Sequence, residues 1–133
     1  VAGEEAMIVA GVGCRRDTSA DEIERVVRMA LGMFDLAVER LDAIATESEK
    51  ATEPAFPEAA QRLSVKLIAC TALDLDKVAG RVLTRSKLVL EAKGLPSIAE
   101  ASALVVAGRE GRLLGTRVAT ERATCAIAIG EGR

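Results

Sequence analysis

Histidine is absent from this chain of 133 residues, as are tryptophan and tyrosine, and its two aromatic residues are Phe34 and Phe56. Without an imidazole, Ser-His and Cys-His catalysis, histidine general acid–base chemistry and His-ligated zinc are all excluded. With only two phenylalanines there is little to stack nucleic-acid bases or to sandwich a flavin. The 18 basic and 20 acidic residues nearly cancel, leaving a formal net charge of −2, so no nucleic-acid partner is expected. No run approaches the roughly 18–20 apolar residues that span a bilayer, and no basic segment followed by an apolar stretch opens the chain. Neither a membrane partner nor a signal peptide is therefore expected. Cys14, Cys70 and Cys125 are odd in number, far apart and form no C-x-x-C, which points to free thiols in a reducing cytoplasm. They make a poor metal site, so neither a metal nor an intrinsic cofactor is expected.

Half of the residues are hydrophobic, so residues 1–133 are expected to form a single domain around an aliphatic core. Met7–Val12 is an apolar run bounded by glycine, as in a strand buried on both faces. Ile23, Val26, Val27, Ala30, Leu31 and Phe34 recur at helical spacing, with Glu22, Glu24, Arg25 and Arg28 on the opposite face. Asp35–Arg40 can add a short helical turn. Asp42–Thr46 reads as a second strand and Glu47–Phe56 as a polar loop, followed by a helix near Pro57–Leu63 and a third strand at Val65–Ala69. Thr71 caps a helix over Ala72–Val82, and Ser86–Lys93 has both strand and helix character, with helix favoured. Ser97-x-x-Glu100 is a capping box that opens an alanine-rich helix ending at Gly108. Leu113–Val118 and Thr124–Ile129 complete the strands, with a tight turn near Ala119–Arg122.

This alternation predicts an α/β domain: a three-layer α/β/α sandwich whose mixed, mostly parallel sheet has about five strands, the last antiparallel. Ligands bind such sheets beyond the carboxyl ends of the strands. That edge is expected to gather Gly11–Ser19, Thr46–Lys50, Cys70–Thr71 and the residues after the fourth strand. Gly11 and Gly13 let the backbone bend and a bulky ligand approach, and Thr18 or Ser19 caps the next helix, whose free N–H groups attract anions. The loop lacks the rest of a G-x-G-x-x-G, and no G-x-x-x-x-G-K-[ST] occurs, so a nucleotide- or phosphate-binding module is the weakest functional reading.

Gly11-Val12-Gly13-Cys14-Arg15-Arg16, then Ile44-Ala45-Thr46 with Lys50 and Glu53-Pro54, then Leu95-Pro96-Ser97-Ile98-Ala99-Glu100-Ala101 stand in this order. Together they resemble the CobE/CbiG C-terminal domain family of cobalamin (vitamin B12) biosynthesis, from Met7 to Ile129. In that family the domain ends CbiG, which opens the lactone of cobalt-precorrin-5A and releases acetaldehyde, or stands alone as CobE in the aerobic pathway. The present chain looks like the stand-alone form. The resemblance implies that it binds or carries a corrin-ring tetrapyrrole, a precorrin or a hydrogenobyrinic acid-like ligand, with other cobalamin-biosynthesis enzymes as possible partners. It also implies a CbiG-like hydrolase as the alternative. Two departures stand out. Asp17 occupies a position where the family often has glycine, and Leu114-Gly115-Thr116-Arg117 replaces an apolar-Pro-Lys pattern.

A flat macrocycle fringed with carboxylates calls for backbone donors and cations, and paired arginines clamp carboxylates bidentately. The expected ligand-binding residues are Gly11, Gly13, Cys14, Arg15, Arg16, Thr18, Ser19, Thr46, Lys50, Ser97 and Arg117. The catalytic candidates are Glu47, as a general base for water, and Cys14, whose neighbouring arginines and helix start are expected to lower its pKa. A solvated or structural role is the competing reading of each. Cys70, Cys125 and Glu100 are expected to serve packing and capping.

Overall fold

The structure, a computed structural model, describes residues 6–83 and 97–132. In chain order its elements are β1 (Met7–Cys14), α1 (Ala20–Met33), a 3-10 turn (Val38–Arg40), β2 (Ala43–Glu47) and the one-turn α2 (Ser48–Ala51). There follow α3 (Ala55–Leu63), β3 (Lys66–Cys70), α4 (Ala72–Lys77) and a second 3-10 turn (Ala79–Arg81). After the undescribed segment come α5 (Ile98–Ala107), β4 (Arg112–Leu113), β5 (Val118–Ala119) and β6 (Ala123–Gly130).

The sheet runs β3-β2-β1-β6-β4, with β5 also paired to β6. β1, β2 and β3 are parallel neighbours, and β6 is antiparallel to β1, β4 and β5. Among the described strands only the last in sequence runs against the others, as its short connection requires. Because β6 inserts between β1 and β4, it supplies every antiparallel ladder. Among the described residues the sheet has six strands where about five were expected, because one expected strand is split in two, and it is mostly parallel in strand direction but not in pairings.

Alternation along β1 sets the three layers. Ile8, Ala10 and Val12 join Ile23, Val27 and Leu31 of α1 and Phe56 of α3 in one core. Val9 joins Ala101, Leu104 and Val106 of α5 and Leu75 of α4 in the other. A strand buried on both faces loses the alternating polar pattern, which is why Met7–Val12 reads as a continuous apolar run.

Helix α1 begins at its capping box: Glu22 N donates to Ser19 Oγ at 3.2 Å, and the hydroxyl lies 3.5 Å from Glu22 Oε1. Thr71 caps α4 in the same way, accepting from Asp74 N at 3.1 Å. The helix is shorter than the expected Ala72–Val82, ending at Lys77, because Leu75 is its one buried side chain and little apolar surface holds a further turn. The expected loop Glu47–Phe56 contains α2, and α3 starts two residues before Pro57. Pro57 sits in the first turn, where its missing N–H costs no intrahelical bond.

The expected strand Leu113–Val118 is split into β4 and β5. Between them a Cβ on Gly115 would stand 2.8 Å from the Phe34 ring, and Arg117 N donates to the carboxylate of Glu100 rather than to a strand. Of the expected turn Asp35–Arg40 only Val38–Arg40 is helical, and it is 3-10. Ser86–Lys93 and the Leu95-Pro96 pair lie outside the described residues. Among the described residues, no helix is long and apolar enough to cross a membrane.

Candidate functional site

The parallel strands β1, β2 and β3 end together at Cys14, Glu47 and Cys70, the last two directly paired. This is the carboxyl edge at which open α/β sheets take ligands. The first turn of α5 stands over it: a Cβ on Gly13 would lie 3.6 Å from Ile98 Cβ and 3.7 Å from Ala99 N. At the β2–β3 end is an open groove of about 400 Å³ lined by Glu47, Ser48, Glu49, Cys70, Thr71 and Leu75.

The loop after β1 carries Arg15 and Arg16, both exposed, and neither forms an ion pair with another described residue. Its backbone is nevertheless fixed. Arg15 N donates to Arg122 O at 2.9 Å, Arg122 Nη2 donates to Arg16 O at 2.8 Å, and Thr18 Oγ1 donates to Arg15 O at 2.7 Å. The arrangement leaves two cationic heads without an ion-pair partner among the described residues, on a preorganised turn of the kind that captures carboxylates with little ordering cost. At the same edge Lys50 is half-buried and paired with Glu53 at 3.1 Å. Ser19 caps α1 at the rim.

Other residues expected at the ligand are turned to the fold. Gly11 does permit a close approach, but the approaching body is α5: a Cβ there would overlap the Ala99 carbonyl oxygen and stand 2.6 Å from Ala103 N. Thr46 is fully buried, its hydroxyl donating to Val12 O at 2.7 Å, and Thr18 is 2% exposed. Ser97 is fully buried as the N-cap of α5, accepting from Glu100 N at 3.3 Å. Cys70 and Cys125 are buried, and burial pushes the Cys125 thiol strongly up.

Cys14 is half-buried beside Thr18, Glu47, Lys50 and Glu53, and its pKa is raised rather than lowered. Desolvation is the largest cause. The Lys50 ammonium and the Thr18 hydroxyl pull the value down, and the Glu53 and Glu47 carboxylates push it up. The expected arginine activation is not seen: Arg15 and Arg16 are exposed and are not among the groups that act on the thiol, whereas the Glu53 and Glu47 carboxylates are. A raised pKa means less thiolate at any given pH. Alkylation of Cys14 by iodoacetamide should therefore be slow at neutral pH and climb only above the ordinary thiol value of 9.0. A pH–rate profile with its midpoint below that of the urea-unfolded chain would sink this assignment.

The comparisons with known proteins converge on one family. The family model "Cobalamin synthesis G C-terminus" matches residues 8–128. The chain belongs to this family. Protein CobE of Sinorhizobium sp. is 35% identical over 123 residues, which cover 92% of this chain and 80% of that protein. A crystal structure of CobE, a protein from the cobalamin (vitamin B12) biosynthetic pathway, superposes with a TM-score of 0.88 at 30% identity, covering 96% of this chain and 93% of that one. Cobalamin biosynthesis protein chiG from Agrobacterium tumefaciens str. C58 gives a TM-score of 0.75 at 37% identity over 93% of this chain and 98% of that one. The resemblance carried by the three sequence motifs is thus established, and with it the α/β fold.

Within this CobE/CbiG family fold, two residues gain a physical explanation. Asp17 has φ 63°, in the left-handed region that glycine enters most readily and that aspartate tolerates. Glu100 is fully buried, with Oε1 accepting from Leu83 N at 3.0 Å and Oε2 accepting from Arg117 N at 3.0 Å. Reading Glu100 only as a capping residue missed this. The available signal was its position as the one ionisable residue in the otherwise apolar or small run Ile98–Ala107: a helix with no polar face is buried all round, so its charge needs partners.

Proposed function

We propose that this chain binds a carboxylate-rimmed corrin-ring tetrapyrrole intermediate of cobalamin biosynthesis and carries it in the cytoplasm, without itself performing chemistry on it. The observation that carries this reading is the Arg15–Arg16 turn: two solvent-facing guanidinia, unpaired among the described residues, on a backbone already fixed by Arg122 and Thr18. Membership in a cobalamin-synthesis family supplies the ligand class. Lys50 and Arg117 are further cations at the same edge. The ion pair between Lys50 and Glu53 is partly exposed and therefore weak enough for a ligand carboxylate to compete. The raised thiol of Cys14 argues against a nucleophile. The recognised features are the shape of the macrocycle and its anionic rim, with no metal or cofactor of the protein's own. Enzymes that make or consume the intermediate are the natural partners.

The test is direct. Hydrogenobyrinic acid mixed with the protein should change its visible spectrum and co-elute with it in gel filtration. Arg15→Ala should weaken that binding by about 1.5–3 kcal/mol, the loss expected for charge-assisted hydrogen bonds. Rising salt should weaken it further, because exposed charges are screened. Colourless protein after gel filtration with several precorrins and hydrogenobyrinic acid would end the carrier reading. The groove beside half-buried Glu47 favours one competing activity, lactone opening by a carboxylate base. Acetaldehyde released from cobalt-precorrin-5A by this chain, and not by Glu47→Gln, would put that hydrolase in the carrier's place.

A further inference from the structure

Glu100 is a carboxylate with no access to water, inside a helix whose other residues from Ala99 to Ala107 are also buried. Burying an ionised group costs several kcal/mol unless close donors satisfy it. Each of its oxygens meets a backbone N–H, one from Leu83 and one from Arg117, and each donor is 17 residues away along the chain. A carboxylate accepts at both oxygens, whereas an amide or a protonated carboxyl must present a donor to one of the two N–H groups. Its place in the first turn of α5 favours the negative charge as well. The two donors belong to separate segments. Arg117 leads into β5, whose Val118 is level with Cys125 and, through it, with Val12 of the central strand.

We propose that Glu100 is a positioning residue for ligand binding: its buried carboxylate clamps the Arg117 segment to the first turn of α5 and so fixes the Arg117 cation at the ligand edge. The proposal rests on the corrinoid-binding reading above. The clamp also interrupts the expected Leu113–Val118 strand, because the N–H of Arg117 is drawn to Glu100 instead of entering a ladder.

The experiment is a double-mutant cycle with Glu100→Gln and Arg117→Ala, read by hydrogenobyrinic acid affinity, together with amide hydrogen exchange at Leu83 and Arg117 in the ligand-free proteins. E100Q should speed exchange at one or both amides and weaken binding about tenfold, the size of a moderate coupling. Because Glu100 acts through Arg117, adding E100Q to R117A should weaken binding little further. A residue that merely supports the fold would instead give additive losses, and that result would overturn the proposal, as would unchanged exchange at both amides. If the parent protein binds no corrinoid while both amides still quicken in E100Q, the carrier reading has failed and Glu100 is only a loop tether, which also overturns it. If E100Q does not fold, Glu100→Asp takes its place in the cycle, since a side chain one carbon shorter keeps the charge but cannot reach both N–H groups. With that variant, additive losses overturn the clamp and non-additive losses support it.

Discussion

Gly11→Ala should destabilise the protein by about 3 kcal/mol or more, at or above the top of the usual range for overpacking because the obstruction is the backbone of α5 rather than a side chain that can turn away. The added methyl would overlap the Ala99 carbonyl oxygen and stand 2.6 Å from Ala103 N and 2.8 Å from Ser102 Oγ. Gly11 is paired to Ala45 on one side and to Ala126 on the other, so β1 cannot recede from the helix. The helix has to lift instead. Doing so opens the core around Ala101, Ala103 and Leu104 and breaks the hydrogen bond that the Ser102 hydroxyl donates across to Ala45 O at 3.3 Å. For a domain of this size the loss corresponds to a fall in Tm of about 10 °C. Gly11→Val should yield little folded protein. Gly32→Ala is the control: nothing lies within 4 Å of its added Cβ, and within a helix the change should be neutral or slightly stabilising. Thermal unfolding followed by circular dichroism decides the matter, and a Gly11→Ala Tm within about 2 °C of the parent's would refute the close-packing account.

Gly11 shows how far the sequence could be read. A glycine within a strand signals that something comes close, but the residue cannot say whether that body is a ligand or a helix. The alanine-rich run from Ala99 to Ala107 was the missing half of the argument, since a slim helix is what packs against a strand lacking a side chain. Local signals were reliable. The Ser19 and Thr71 caps, the buried run of β1 and the periodicity of α1 all depend on neighbours within four residues. What the sequence did not disclose depends on partners far along the chain.

The break between β4 and β5 arises because Arg117 N is drawn to a carboxylate 17 residues earlier. Cys14 followed the same rule. Its arginine neighbours in sequence suggested a lowered pKa, but burial and the spatially adjacent Glu53 and Glu47 raise it. The site was legible as an edge, because parallel strands place their carboxyl ends together. It was not legible residue by residue. Buried hydroxyls such as those of Thr46 and Ser97 look the same in sequence as hydroxyls that face a ligand.

Reversing both charges, Arg15→Glu with Arg16→Glu, should lower affinity for hydrogenobyrinic acid by about a hundredfold or more. Two charge-assisted contacts are lost, at about 1.5–3 kcal/mol each, and repulsion between the new carboxylates and those of the ligand is added. The fold should hardly notice. The backbone bonds that fix the turn come from Arg15 N, Arg15 O and Arg16 O, none of which the substitution removes, and both side chains are exposed. Surface changes of this kind usually alter stability by less than about 0.5 kcal/mol, so an unchanged Tm should accompany the loss of binding. The ligand supplies a second axis. Amidation of the rim removes negative charges, so a di-amidated form of the same corrinoid should lose less affinity on the double reversal than the full acid. The salt dependence of binding should flatten or invert in the variant, because an attractive screened interaction has become a repulsive one. Titrations of both ligands against both proteins at two salt concentrations measure all of this together. Equal affinities for parent and variant would move the ligand away from the β1 turn, and the groove between Glu47 and Leu75 would then be the surface to mutate.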